Sequence, residues 1–130
     1  MSTLDSPSLE VRWDGPRATL LVDGAESSCI DTSDPTYLDF EYMQHATCAL
    51  QATFPSSAPL RVLHLGGAAC ALPWAWSLLF PSSRHTVVEI SPKIASFARE
   101  TFDLPRSPIL KIRIGEARAV IDSLRGSSFD

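Results

Sequence analysis

The sequence predicts an α/β chain in two parts, a small antiparallel β-meander followed by a parallel sheet with crossover helices. Three observations carry this reading. Short apolar runs near the N-terminus are separated by the tight-turn dipeptides Asp14-Gly15 and Asp23-Gly24. From Leu60 onward the pattern alternates strand, helix, strand, helix, strand, helix, as parallel sheets require. One apolar strand then runs directly into six small residues, Gly66-Gly67-Ala68-Ala69-Cys70-Ala71.

In chain order, Met1 to Ser8 is polar and is expected to fray. Leu9 to Trp13, Ala18 to Val22 and the weaker Ser27 to Ile30 form the meander, giving a first unit over 1–33. Asp34-Pro35 carries a cap-then-proline signature, so a helix is expected to start there. Its buried stripe is expected at Leu38, Tyr42, Ala46, Ala49 and Leu50. Pro55 ends it, and 34–59 forms a linking helix and loop. The third unit, 60–130, has strands at Leu60 to Leu65, His85 to Ile90 and Ile109 to Ile114. Its helices are expected near Ala71 to Phe80, Pro92 to Phe102 and Glu116 to Leu124. The first of these packs Trp74 and Trp76, the second faces inward through Ile94, Phe97 and Ala98, and the third through Ala117, Val120, Ile121 and Leu124. Lys111 and Arg113 interrupt the third strand, which suits a sheet edge.

Composition narrows the function. With 130 residues, 45% hydrophobic and 20% charged, the chain can build a core and is not of the disordered class. A net charge of −4 argues against a nucleic-acid binder, which needs a basic face to displace counterions. The N-terminus lacks a signal-peptide pattern and no run reaches the ~20 apolar residues of a spanning helix, so a cytoplasmic, non-membrane protein is expected. Cys29, Cys48 and Cys70 have no C-x-x-C spacing, and His45 with Cys48 does not make a metal site. Cys70 sits near a helix start, where a thiol can be activated, but a small buried side chain is the expected role. His64 is read as a hydrogen-bonded core histidine.

Ligands of open α/β sheets bind just outside the carboxyl ends of the strands. The small-residue turn lets a ligand approach the backbone, and amides at a helix start favour polar groups. Glu89 stands 23 residues after Gly66, near the ~20 expected for a carboxylate that holds ribose hydroxyls. Gly115-Glu116 places a second acid on the same rim.

These residues carry a resemblance. Four segments, in order, are similar to the spermidine synthase (polyamine aminopropyltransferase) family, especially its compact bacterial spermidine-synthase-like branch. They are the meander, Asp34-Pro35-Thr36-Tyr37-Leu38-Asp39-Phe40-Glu41-Tyr42, Leu63-His64-Leu65-Gly66-Gly67, and Val87-Val88-Glu89-Ile90-Ser91-Pro92. Gly115-Glu116-Ala117-Arg118 further resembles the family's Gly-Asp-x-Arg. The resemblance implies a Rossmann-like sheet of the class I S-adenosylmethionine-dependent methyltransferase type. It implies decarboxylated S-adenosylmethionine (or S-adenosylmethionine) as cosubstrate and a diamine such as putrescine as acceptor. Gly66, Gly67 and Ala68 would line the nucleoside, Glu89 would hold the ribose with Ile90 beside it, and Glu116 would lie near adenine with Gly115 and Ala117. The small-molecule partners are then a nucleoside and a polyamine, and self-association is compatible with this reading.

The chain also departs from the family. The glycine loop's usual aspartate is missing from Ala68-Ala69-Cys70, and Glu116 stands where an aspartate is usual. The family's catalytic aspartate follows a fourth strand, which would begin at Ser128-Phe129-Asp130. The expectation is therefore an incomplete sheet, the N-terminal part of the family's fold, with no catalytic residue and no metal ligand assigned. A methyltransferase using the same nucleoside half-site and a non-catalytic nucleoside-binding module are the alternatives.

Overall fold

The computed structural model describes residues 7–126 and 128–130. Strands β1 (Leu9–Asp14), β2 (Arg17–Val22) and β3 (Ala25–Asp31) form an antiparallel sheet in the order β1-β2-β3. Asp23 and Gly24 both adopt positive φ (49° and 83°), the backbone that matches a two-residue turn to strand twist. The expected fraying falls, for residues 1–6, outside the described residues. Pro7 and Ser8 are tied down instead. Lys93 Nζ donates to Pro7 O at 2.6 Å, and Ser8 N donates to Asp23 Oδ1 at 2.9 Å.

Helix α1 spans Glu41–Thr53, so the helix expected from Asp34 begins seven residues later. The reason is local competition. Asp34 Oδ1 accepts from both the amide and the hydroxyl of Thr36, closing a turn instead of capping a helix. Asp31 holds the same segment, accepting from Ser33 N at 2.9 Å and Ser33 Oγ at 2.6 Å. These bonds and the Arg17 guanidinium hold the Asp31 carboxyl below its ordinary range. The later start also rotates the buried stripe. Met43 and Thr47 are buried, while Tyr42 and Ala49 are exposed.

The second sheet is parallel, in the order β4-β5-β6, with β4 at Arg61–Leu65, β5 at Arg84–Glu89 and β6 at Leu110–Ile114. β5 is central and buries His85, Val87, Val88 and Glu89. β6 lies at an edge, as its alternating charges indicate. β4 forms the other edge, where Asp130 N donates to Arg61 O and Arg61 N donates to Asp130 Oδ2, both at 2.8 Å. Helices α2 (Ala71–Leu79), α3 (Pro92–Thr101) and α4 (Ala117–Ser123) follow the three strands. Ser91 Oγ caps α3 by accepting from Ile94 N, with Pro92 at its first position. On α4 only Val120 is buried, and Ile121 is exposed, so its apolar stripe is half used. No described helix is long and apolar enough to cross a membrane.

One core joins the two sheets. Leu20 and Ile30 of the meander, Met43 of α1, Trp76 of α2, Val87 of β5 and Leu110 of β6 all belong to it. The join between α1 and α2 is polar and buried, because Trp76 Nε1 donates to Thr47 Oγ1 at 2.9 Å. Thr47→Val keeps the shape and strands that indole donor. It is expected to cost about 1–3 kcal/mol in chemical denaturation; an unchanged midpoint would show that water replaces the hydroxyl.

Candidate functional site

The site is built where β4 ends. Gly66 N continues the ladder by donating to Val88 O at 2.7 Å, and the chain then turns sharply into α2. Gly66, Ala68 and Cys70 adopt positive φ (83°, 46° and 65°), so every second residue of the turn is in the left-handed region. Gly66 accepts this without a side-chain penalty, whereas Ala68 and Cys70 hold a costly conformation. The meander helps to keep it. Ser28 Oγ, buried on β3, accepts from Ala69 N at 3.1 Å.

Parallel pairing brings Glu89, the last residue of β5, beside this turn. Its Oε1 accepts from Ala68 N at 3.3 Å and more weakly from Gly67 N at 3.5 Å. Its Oε2 accepts from Ser91 N at 3.0 Å. The carboxylate thus occupies the amides that a phosphate would take in a dinucleotide-binding turn.

Above the turn lies a cavity of about 480 Å³, within the ~300–1,000 Å³ of small-molecule sites. Gly66, Gly67, Ala68, Leu65, His64 and Glu89 form its sheet side, and Leu72 and Pro73 come from the first turn of α2. Ser27 of the meander and Tyr42 and Met43 of α1 complete the wall. Among these lining residues Glu89 is the one charged side chain. A second, shallower depression lies between α3 and β6, lined by Arg99, Glu100 and Ile112 among others.

The structure brings four of the eight residues proposed from sequence, Gly66, Gly67, Ala68 and Glu89, together around one cavity. Ile90, Gly115, Glu116 and Ala117 lie outside its lining. Glu116 is exposed and caps α4, its two oxygens accepting from Arg118 N and Ala119 N at 2.9 Å each. Those two bonds hold its carboxyl below the usual range. The glycines differ in role as well. Nothing lies within 4 Å of the position a Gly66 Cβ would take, while a Cβ on Gly67 would collide with Val87 Cγ1. Gly67 is therefore required for packing the turn on β5. Cys70 is not an activated thiol, since burial pushes it up to about 12.

His64 is buried, as expected, but its surroundings were not visible in sequence. Its Nε2 lies 2.9 Å from His85 Nδ1, and His85 Nε2 lies 2.7 Å from Ser83 Oγ, which donates to Phe80 O at 2.5 Å. The Trp76 ring packs 5.5 Å from the His64 ring. Burial pulls both imidazoles below the ordinary histidine value, and His85 adds to the effect on His64. Among the described residues no group of three or more His, Cys, Asp or Glu could hold a metal ion.

The fold is of the methyltransferase-type Rossmann class, here with a three-stranded parallel sheet and a three-stranded meander. The chain is similar to a probable spermidine synthase from Corynebacterium glutamicum, with 36% identity and a TM-score of 0.86 over 96% of this chain and 47% of that one. It is similar to human methyltransferase-like protein 13, solved in complex with SAH, with 25% identity and a TM-score of 0.59 over 65% of this chain and 40% of that one. The chain thus spans about half the length of the first and less of the second. No family model matches the sequence, and no curated protein matches it.

Two outcomes follow. Gly67→Ala is expected to destabilise by about 1–3 kcal/mol through overpacking. Val87→Ala removes the colliding atom, so the double variant should lose less than the two single losses summed. Strict additivity in denaturation would show that the turn relaxes away from β5. The second outcome concerns acid. The folded histidines stay neutral below 6.5, where the unfolded chain binds protons. Stability is then complete above about pH 6.5 and falls as pH drops below it, by at most about 1.4 kcal/mol per pH unit for each histidine. This lies above the range of Asp31 and Asp130, whose lowered carboxyls act below 3.8. Equal denaturation midpoints at about pH 7.5 and 5.5 would contradict it.

Proposed function

We propose that this chain is the nucleoside-binding portion of a spermidine-synthase-like aminopropyltransferase, taking decarboxylated S-adenosylmethionine with a diamine such as putrescine as acceptor. One observation carries the reading. Among the described residues, those lining the cavity at the strand ends supply a single carboxylate, already seated on the turn amides, and no Lys or Arg. A phosphate there would meet Glu89 with no countercharge, so a dinucleotide is disfavoured. A nucleoside with a cationic sulfonium fits instead. The remaining lone pair, on Glu89 Oε2, can accept from a ribose hydroxyl while the turn amides stay satisfied.

The part played by the meander and α1 supports this choice over a methyltransferase. Ser27, Tyr42 and Met43 close the cavity from that side, and the likeness to the probable spermidine synthase extends over 96% of the chain. The relative solved with SAH covers 65% of it and favours the second reading, a methyltransferase with S-adenosylmethionine in the same half-site.

In the proposed reaction the diamine's nitrogen attacks the methylene carbon beside the sulfonium. The C–S bond breaks, its electron pair stays on sulfur as methylthioadenosine, and the amine loses a proton. Glu89 is committed to the turn and the described lining residues supply no second carboxylate to take that proton, so binding without turnover is expected of the described site.

Calorimetric titration with decarboxylated S-adenosylmethionine, S-adenosylmethionine, methylthioadenosine and NADH tests the reading. The adenosine sulfur compounds are expected to bind and NADH to fail. Glu89→Gln should weaken nucleoside binding tenfold or more, because a hydrogen bond to a charged group contributes about 1.5–3 kcal/mol. Unchanged affinity in a folded variant, or preferential binding of NADH, would refute the assignment. Preference for S-adenosylmethionine over its decarboxylated form would favour the methyltransferase.

A further inference from the structure

We propose that His64 is a specificity residue, presenting the lone pair of Nδ1 to the cavity as an acceptor for the N–H of an aliphatic amine on the bound ligand. The inference rests on the nucleoside reading for the ligand's other half, but its core is a count of protons along one buried chain.

Ser83 has one hydroxyl proton. Its Oγ lies 2.5 Å from Phe80 O, which can only accept, so the proton is spent there. Toward His85 Nε2, at 2.7 Å, Ser83 Oγ is therefore the acceptor, and Nε2 carries a hydrogen. A neutral imidazole has one N–H, which makes His85 Nδ1 an acceptor. Across the 2.9 Å contact His64 Nε2 must then be the donor. His64 Nδ1 is left as an unprotonated nitrogen. The neutral forms required here are those that burial favours.

Nδ1 has no hydrogen-bond partner among the described residues, yet no fully buried side-chain nitrogen or oxygen among them lacks one. The atom therefore reaches accessible space. His64 is only 8% exposed, and the cavity is the space it lines. Trp76 packs against the ring and, held by Thr47, fixes its plane. An oriented acceptor with an anionic Glu89 in the same cavity suits an alkylammonium group, whose N–H donates and whose charge Glu89 balances. A neutral His64 adds no repulsion against that cation.

The test uses His64→Gln, whose side-chain amide can still donate toward His85 but offers no acceptor at the Nδ1 position. The ligands are decarboxylated S-adenosylmethionine, which carries an amine tail, and methylthioadenosine, which does not. The variant should bind the tailed ligand about tenfold more weakly and methylthioadenosine as well as the unchanged protein does. Equal losses for both ligands, or no loss for either, would overturn the role of His64 while leaving the nucleoside site intact.

Long-range proton–nitrogen NMR spectra of histidine-labelled protein at neutral pH give a second, ligand-independent readout. Both buried rings should be neutral Nε2–H tautomers, and titration with putrescine should move His64 Nδ1. An Nδ1–H tautomer at His64, or an Nδ1 signal indifferent to putrescine, would overturn the proposal. If no nucleoside binds but putrescine still moves that nitrogen, the nucleoside reading fails and the amine acceptor stands.

Discussion

The structure depends on the contact between the Glu89 carboxylate and the turn that leaves β4. Parallel pairing of β4 with β5 is what makes the contact possible, since it ends both strands at the same rim. The turn folds through three positive-φ residues, and its amides would otherwise face a cavity without a partner. Glu89 accepts from two of them and from Ser91 beyond, while Ser28 accepts from a third. An unsatisfied buried amide costs about 1–3 kcal/mol, enough to open a turn already holding two strained residues. The same carboxylate that stabilises the backbone also sets the charge of the cavity. The stability of the turn and the charge of the cavity therefore have one origin here.

A second constraint ties the meander to the sheet. The buried core crosses both, and a line of contacts from Thr47 through Trp76 to the hydrogen-bonded His64, His85 and Ser83 runs from α1 to the loop before β5. Ser27, Tyr42 and Met43 line the cavity because that line and the core hold α1 and β3 against α2. In a bare three-stranded sheet the glycine turn would face solvent. With the meander in place it becomes the floor of an open cleft walled on that side by Ser27, Tyr42 and Met43.

Much of this was legible in the sequence where the signal is local. The run from Val62 to Ala71 encodes strand, turn and helix in ten neighbouring residues, and the spacing to Glu89 follows from one helix and one strand. The edge position of β6 was legible from Lys111 and Arg113. Signals with two local uses were read wrongly or left open. Asp34 can cap a helix or close a turn, and the presence of Asp31 decided for the turn. Glu116 stands before a helix, where a cap and a ligand carboxylate look alike, and the structure uses it as a cap. Contacts between distant segments had no sequence signal at all. His64 and His85 meet only because the parallel register sets His64 opposite Val87 and Val62 opposite His85, which makes the two rings diagonal neighbours. The collision that reserves position 67 for glycine depends on the same register.

On the proposed reading, the cavity above Gly66 and beside Glu89 is the nucleoside site. A backbone-amide NMR titration of the chain with methylthioadenosine tests it most directly, because it locates binding without assuming a reaction. Shifts are expected to concentrate at Gly66, Gly67 and Ala68, at Glu89, and at Ser27 and Tyr42 across the cavity. Silent amides at these positions, with shifts gathered instead along the α3–β6 depression at Ala95, Arg99 and Ile112, would contradict it.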